Sequence, residues 1–177
     1  IYVVASKEGY ELCHPINQDD FEKINVLING VSRQSDWQPI EMQTICEDEG
    51  QKLLESDSPW LGSHALIFTA KARDVIGPLL LQYGELLPLT NTNRSELSMF
   101  NPTRVIDALD ENASDVVRFG EGRIMMIRRY VFRPSVVGDI DIFKIPNLRV
   151  SPTFVSQRFV ELWRAAKLRG LEFVECT

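Results

Sequence analysis

Two histidines are the side chains of this sequence best suited to general acid–base chemistry. His14 follows Cys13, and His64 opens an apolar run that reads as a strand. Neighbouring residues of an extended strand point to opposite faces, so Cys13 and His14 do not form a nucleophile–base pair on spacing alone. A small enzyme with an unfamiliar site would have to combine His64 with Asp107 or Asp110. We keep this as one alternative for the function.

Carboxylates and cysteines could also hold a metal, but their spacing does not favour one. The densest carboxylate group of the second half is Asp107, Asp110, Glu111 and Asp115. It lacks the central glycine and terminal glutamate of a calcium loop, which favours a solvated turn or helix start. The three cysteines are far apart and odd in number, which favours neither a disulfide framework nor zinc. Because no glycine-rich nucleotide motif or nucleophile elbow occurs, we expect no cofactor, no metal and no catalytic set.

Charge is distributed unevenly along the 177 residues, whose net charge is −6. Residues 1–60 carry twelve acidic and four basic side chains, or −8, whereas residues 61–177 carry thirteen and fifteen, or +2. An acidic first third repels phosphate backbones and favours a basic protein partner, so we expect no nucleic acid there. An acidic solubilising surface is the simpler alternative. No apolar run approaches the roughly 18 residues of a membrane span, so we expect no membrane partner.

The elements that would position any site follow a pattern that occurs twice, about 87 residues apart. Each copy reads as a strand, a hydroxyl N-cap, an amphipathic helix, a glycine and a second strand. The first copy has Thr69 as cap and Gly84 as stop, and the second has Ser156 and Gly170. A hydroxyl accepts from the first-turn amides, and glycine adopts the left-handed conformation that ends a helix. Pro78 predicts that the first helix is bent or split.

These units predict an α+β fold with a mixed or mainly antiparallel sheet and two principal helices, consistent with a degenerate repeat of strand–helix–strand units. We expect one domain over residues 1–177, with 1–95 and 96–177 as alternative lobes. Further predicted elements are an opening strand at 1–5, a short strand at 26–28, an edge strand at 40–46, an acidic turn at 47–50, a polar connector at 90–95, a hairpin at 116–132 and a strand at 140–145. Arginines decorate the hairpin, and we expect them to pair with the acidic first third.

Several segments, taken in order, resemble a known protein family. They are Val105–Asp110, the hairpin at 119–132, Asp141–Lys144 and the run from Phe154 onward, together with Trp37-Gln38-Pro39 and Gly84–Leu89. In this order they resemble immunity family eleven of bacterial polymorphic-toxin systems. The likeness is best from residue 57 to the end. It implies a protein without catalytic residues that binds and blocks a cognate toxin, made by the same cell lineage and encoded by an adjacent gene.

For such a protein we expect the contact surface in the irregular acidic segment before the first unit. The predicted partner-binding residues are Asp36, Trp37, Glu47, Asp48, Glu49, Asp57 and Trp60. Aromatic anchors ringed by charge are common binding hot spots, although both tryptophans could equally be core residues. A ligand-sensing domain is a further alternative, favoured by an apolar pocket between the units. We expect a cytoplasmic protein, or a periplasmic one if an upstream signal peptide was removed.

Overall fold

The computed structural model describes residues 1–93 and 96–176. Within them the chain forms four helices and thirteen strands, in an α+β arrangement that confirms the predicted fold class. In chain order they are β1 Tyr2–Ser6, β2 Leu12–Pro15, α1 Asp19–Leu27, β3 Glu41–Ile45, β4 Glu47–Asp48, β5 Gln51–Lys52, β6 Ile67–Thr69, α2 Ala70–Tyr83, β7 Gly84–Asn91, β8 Leu97–Pro102, β9 Asp115–Arg118, β10 Ile124–Arg129, α3 Pro134–Val137, β11 Ile142–Phe143, β12 Phe154–Val155, α4 Gln157–Ala165 and β13 Leu171–Glu175.

The largest sheet has five strands in the order β2-β3-β7-β8-β6. β3 and β7 pair in parallel, with Glu41 opposite Thr90, and the other neighbours pair antiparallel. All six residues of β8 are buried, as expected for a strand with a partner on each side. A second sheet has four antiparallel strands in the order β11-β12-β1-β13. The sheet composition is therefore mixed, and predominantly antiparallel.

The two predicted units share one topology. In the first, β6 and β7 both pair antiparallel with β8; in the second, β12 and β13 both pair antiparallel with β1. The two strands of each unit are therefore parallel, with one strand inserted between them, which is a split β-α-β arrangement. The predicted caps are both present: Thr69 Oγ1 accepts from the Ala72 amide at 3.4 Å and Ser156 Oγ from the Phe159 amide at 3.3 Å. Whether the units arose by duplication stays a prediction.

The strand that completes each unit comes from the other half of the chain. β1 lies between β12 and β13, and β8 lies between β6 and β7. Segments 1–95 and 96–177 thus exchange strands. The predictions of a single domain and of these lobes both stay predictions.

Three hydrophobic clusters fill the interior. In the first, α2 and α4 pack together through Ile76, Leu80, Phe159 and Trp163. The second lies under α1 and the five-stranded sheet and is built from residues such as Ile24, Met42, Leu87 and Met99. The third is aromatic and contains Phe132, Phe143 and Phe154. Their arrangement places the β9–β10 hairpin outside the two main sheets.

Helix α2 is not split at proline, contrary to one of the two predicted outcomes. It runs as one helix from Ala70 to Tyr83 through Pro78. The preceding residue is Gly77, which has no Cβ to clash with the proline ring, so the helical conformation is tolerated there. Buried Ile76 and Leu79 on either side of the interruption hold it in the core. The predicted bend stays a prediction.

The glycine stops act differently from the prediction. Gly84 is extended, with φ of 178°, and its close neighbours are the Asn101 carbonyl and Pro102. Helix α4 ends in a Schellman motif in which Lys167 is left-handed, and the Leu168 amide donates to the Trp163 carbonyl at 3.1 Å. Gly170 has a positive φ of 104° but shapes the later turn into β13.

Other local predictions were wrong in identifiable ways. Residues 26–28 end helix α1 instead of forming a strand, because Ile24 and Ile28 bury one face of that helix. β3 is not an edge strand, since it pairs with β2 on one side and β7 on the other. In the predicted 90–95 connector, Thr90 and Asn91 belong to β7, and Arg94 and Ser95 lie outside the described residues.

Candidate protein-binding site

The β9–β10 hairpin is the predicted strand pair, and its turn is closed by backbone hydrogen bonds. The Phe119 amide donates to the Arg123 carbonyl at 2.8 Å, and the Gly122 amide donates to the Phe119 carbonyl at 2.9 Å. Gly122 has a φ of 88°, a left-handed conformation that favours glycine. The sequence around the glycines therefore favours a tight turn at the tip of the hairpin.

Two irregularities turn apolar and cationic side chains of β10 toward solvent. The register advances by two residues on β10 and one on β9 at Met125, and again at Arg128. Such bulges leave one residue unpaired and re-aim its neighbours. Met125 and Met126 are consequently both exposed, at 47% and 45%. Exposed methionines of this kind adapt to varied apolar partners.

The base of the hairpin is anchored in the aromatic cluster. Ile127 is buried, and the ring of Tyr130 stacks on that of Phe132 with centroids 6.1 Å apart. The Val131 amide donates to Ser114 Oγ at 3.0 Å. Burial raises the pKa of Tyr130 to about 12. The hairpin therefore projects its tip from a rigid base.

A cleft of about 670 Å³ lies between the hairpin tip and the loop at 147–150. Its apolar lining comprises Phe119, Ile124, Met125, Leu148 and Val150. Its charged lining comprises Arg118, Arg123, Arg149 and Glu111, three cations against one anion. The guanidinium of Arg123 lies 5.6 Å from the centre of the Phe119 ring, within cation–π range. The cleft thus combines apolar side chains with mainly cationic ones in its lining.

Glu111 joins the two walls of this cleft. One of its oxygens accepts from the Arg118 guanidinium of the hairpin, and the other accepts from Asn147 Nδ2 of the loop at 2.7 Å. The hydrogen bond from Arg118, followed by that from Asn147, lowers the pKa of Glu111. Both carboxylate oxygens are occupied, so the anion is neutralised within the cleft wall. Arg123 pairs with Glu121, so among the described residues the lining cation without an ionic partner is Arg149.

The hairpin arginines do not pair with the acidic first third, contrary to prediction. Arg118 pairs with Glu111, Arg123 with Glu121, and Arg133 with Asp107 at 3.1 Å. All three partners lie within fifteen residues of one another in the same half of the chain. These arginines pair with carboxylates that are close to them in the sequence. The acidic side chains of the first third therefore do not receive their ion pairs from these three arginines.

The hairpin and the cleft lie in a part of the chain that matches a known protein family. Residues 94–177 match the immunity protein family Imm11. This match confirms the resemblance predicted from the sequence, over these residues. No curated protein matches the chain. We call residues 94–177 the Imm11 segment, and the hairpin, Glu111 and the loop at 147–150 all belong to it.

The predicted partner-binding residues lie outside the Imm11 segment, and the first five of them fall into two groups. Asp36 is exposed and Trp37 is half-buried, with its indole Nε1 donating to the Pro88 carbonyl at 2.7 Å. They precede β3. Glu47, Asp48 and Glu49 follow β3 and are exposed on the β4–β5 hairpin. Because β3 has five residues, roughly 16 Å of strand separates the groups.

The last two predicted residues are integrated into the fold. Trp60 is half-buried against the first cluster, and its carbonyl accepts from the Cys13 amide at 2.9 Å. Asp57 is buried: its carboxylate accepts from the Arg169 amide at 2.7 Å and pairs with Lys71 at 3.2 Å. Asp57 therefore ties the start of α2 to the turn before β13, which is a structural role.

The residues proposed for an enzymatic alternative are engaged elsewhere. Asp107 pairs with Arg133, and Asp110 Oδ1 accepts from the Asn112 and Ala113 amides at 3.1 Å. Neither carboxylate bonds to His64 in the part of the chain that the structure describes. Among residues 1–93 and 96–176, no group of three or more histidines, cysteines and carboxylates could hold a metal ion. No described helix is long and apolar enough to cross a membrane.

Sequence reasoning missed a buried lysine. Lys144 is 2% exposed, and its Nζ donates to the carbonyls of Ile28 at 2.7 Å and His64 at 2.8 Å. Burial lowers the pKa of this amine to about 7. Burial, with a further contribution from Lys144, lowers the pKa of His64 to about 4. Lys144 directly follows the apolar run of β11 and stands in the Asp141–Lys144 segment that carries the family resemblance, but its burial was not predicted.

Proposed function

We propose that this chain is an immunity protein that binds a cognate toxin and neutralises it by protein–protein contact. The observation that carries the proposal is the match of residues 94–177 to the immunity protein family Imm11. A member of such a family acts against a toxin, and a stable complex is the simplest means. The adjacent gene is the first candidate for the toxin.

The described surfaces support a binding role more than catalysis. The candidate histidine His64 has a buried Nε2 without a hydrogen-bond partner among the described residues, and its pKa is far below neutrality. A general base needs reach to its substrate and a pKa near the working pH. The space between α2 and α4 is occupied by packed side chains such as Phe159 and Trp163, which disfavours a ligand-sensing pocket there.

We retain the exposed acidic residues of the first third as proposed contacts with the toxin. They are Asp36, Glu47, Asp48 and Glu49, with Trp37 and Trp60 partly accessible. Surface carboxylates of this kind chiefly raise the association rate with a basic partner. Asp57 is left out because its carboxylate is buried and paired.

Co-expression tests this function. The protein encoded by the neighbouring open reading frame is expressed from an inducible promoter, with and without this chain, and viable cells are counted. We expect killing without the chain, survival with it, and a complex that co-purifies. As a control, Phe68→Asp places a charge at a fully buried position, should unfold the chain, and should abolish protection. Unchanged killing by a soluble neighbour, with no complex formed, would reject the proposal.

A further inference from the structure

We propose that the cleft between the β9–β10 hairpin and the loop at 147–150 is the toxin-docking surface, and that it receives an acidic, partly apolar segment of the toxin. This inference rests on the proposed function and names the partner chemistry for it. Its starting point is the exposure of apolar side chains that line the cleft. Phe119 and Met125 keep 45% and 47% of their surface accessible. Covering such apolar surface is favourable and gives a binding partner its affinity.

Charge identifies the kind of occupant. Arg149 is exposed at the cleft, Arg123 is exposed but pairs with Glu121, and the one carboxylate of the lining, Glu111, already accepts hydrogen bonds from Arg118 and Asn147. No hydrogen bond or ion pair joins Arg149 to any residue within 1–93 or 96–176. An exposed, unpaired arginine is suited to bidentate binding of a carboxylate. The occupant is therefore expected to bring Asp or Glu side chains next to apolar ones.

A nucleic acid fits the same cleft less well. About half of the lining is apolar, which phosphate groups cannot cover. The chain as a whole carries −6, and its first 60 residues carry −8, so an extended polyanion approaching the molecule meets repulsion. A short acidic protein segment confines its charge to the cleft and avoids that cost.

Two anchors support the cleft as a preformed site. Glu111 connects its walls, and the hairpin base is fixed in the aromatic cluster by Tyr130 and Phe132. A site whose walls are held in advance loses less conformational entropy on binding. The position of the cleft within the Imm11 segment is a further, independent reason to choose it over the acidic β4–β5 hairpin.

The test measures binding of the purified neighbouring-gene protein to variants of the full-length chain. Arg149→Glu should weaken binding about tenfold or more, mainly by slowing association, and added NaCl should reduce the difference. The double variant Phe119→Ala with Met125→Ala should weaken binding by about tenfold or more, mainly by faster dissociation, because it removes the apolar anchors. Arg149→Lys should restore part of the affinity, since it restores the charge without the fork geometry.

Arg164→Glu is the matched control, because it makes the same charge change on the exposed surface of α4, away from the cleft. Thermal melting verifies that each variant is folded. If both cleft variants bind as tightly as Arg164→Glu, the docking surface is elsewhere and the proposed function stands. If reversal of Glu47, Asp48 and Glu49 alone abolishes binding, the acidic surface replaces the cleft. If the unaltered chain neither binds nor protects, both proposals fail.

A separate experiment tests whether the cleft binds a nucleic acid instead of a protein segment. A fluorescein-labelled single-stranded RNA of twelve uridines is titrated with the unaltered chain and with Arg149→Glu. We expect no saturable binding at physiological salt. Saturable binding that Arg149→Glu removes would overturn the acidic-segment proposal in favour of an RNA-binding cleft.

Discussion

Lys144 places a primary amine in the interior, where two main-chain carbonyls accept its hydrogen bonds. These carbonyls belong to Ile28 and His64, so one side chain connects the end of α1, the approach to β6 and the end of β11. Burial stabilises the neutral amine, and this is why the pKa falls to about 7. Lys144 therefore links three segments of the chain through hydrogen bonds, and its charge depends on pH near neutrality.

The stability of the chain should rise with pH between about 7 and 8.5. The folded pKa of Lys144 lies below its ordinary value, so in this range the unfolded state binds more protons than the folded state. The free energy of unfolding then increases by up to about 1.4 kcal/mol for each pH unit. Urea denaturation at several pH values measures this slope. Above this range Cys176, whose pKa burial raises to about 11, acts in the opposite direction.

Lys144→Met should flatten that slope, because the substituted side chain does not titrate. Lys52→Met is the control for removing a lysine from the surface, because Lys52 is exposed on β5. An equal slope in Lys144→Met and in the unaltered chain would contradict the assignment of the pH dependence to Lys144.

At the scale of elements, the turn before β13 depends on a glycine for two separate reasons. Gly170 has a φ of 104°, and a Cβ at this position would lie 1.8 Å from Ser56 Oγ. Gly9 also has a positive φ, of 82°, but a Cβ there would have no neighbour within 4 Å. A comparison of alanine substitutions at the two glycines therefore distinguishes the cost of backbone strain from the cost of steric overlap.

Gly170→Ala should destabilise the chain more than Gly9→Ala. A left-handed alanine costs roughly 1–2 kcal/mol at either position, and overlap with Ser56 adds about 1–3 kcal/mol at Gly170. Chemical denaturation of both variants measures the difference. The double variant Gly170→Ala with Ser56→Gly should recover part of the loss. Equal destabilisation by the two alanines would show that the close approach to Ser56 is relieved without cost.

Local signals explain which elements could be predicted. Thr69 and Ser156 each cap a helix through a contact three residues away, so their pattern is complete within one short window. The hairpin turn at Gly122 is equally local. The end of helix α1 was predicted as a strand at 26–28 because Val26 and Ile28 are β-branched, and the burial that overrides this preference comes from Ile24 packing against distant strands. The strand propensity of single residues carries no information about the packing of Ile24 against distant strands.

The candidate site was predictable only in part. The sequence indicates a hairpin with arginines and aromatic residues, but the cleft needs the loop at 147–150, which Glu111 and Asn147 bring against it. That contact joins segments more than thirty residues apart. For Asp57, in contrast, the sequence predicted a binding residue that the structure buries. Its acidic loop context indicated an exposed side chain, but its carboxylate accepts a hydrogen bond from the Arg169 amide, 112 residues away, in the interior.

At the scale of the whole molecule, the strands β1 and β8 bind the two halves of the chain together. β1 pairs with β13 over five residues, from Tyr2 opposite Glu175 to Ser6 opposite Leu171. The Imm11 segment contains β13 and β12 but not β1. It also contains β8 without either neighbour, β6 or β7. The family match therefore covers a segment whose sheets are completed by the rest of the chain.

A fragment of residues 94–177 should not fold on its own. Without β1, strands β12 and β13 lose their shared partner, and without α2 the cluster around Phe159 and Trp163 is open to water. Circular dichroism and thermal melting of the fragment should show little structure and no cooperative transition, with the full chain as control. A sharp unfolding transition in the isolated fragment would contradict the strand exchange as a requirement for folding.

The pairing of β1 with β13 also sets an order of events during synthesis. Residues 2–6 leave the ribosome long before residues 171–175, and they wait unpaired while almost all of the chain is made. Contacts so distant in sequence close slowly, because the intervening chain must first be ordered. Under the proposed function, only molecules whose translation has passed β13 would protect a cell, and a nascent chain that ends before β13 would not.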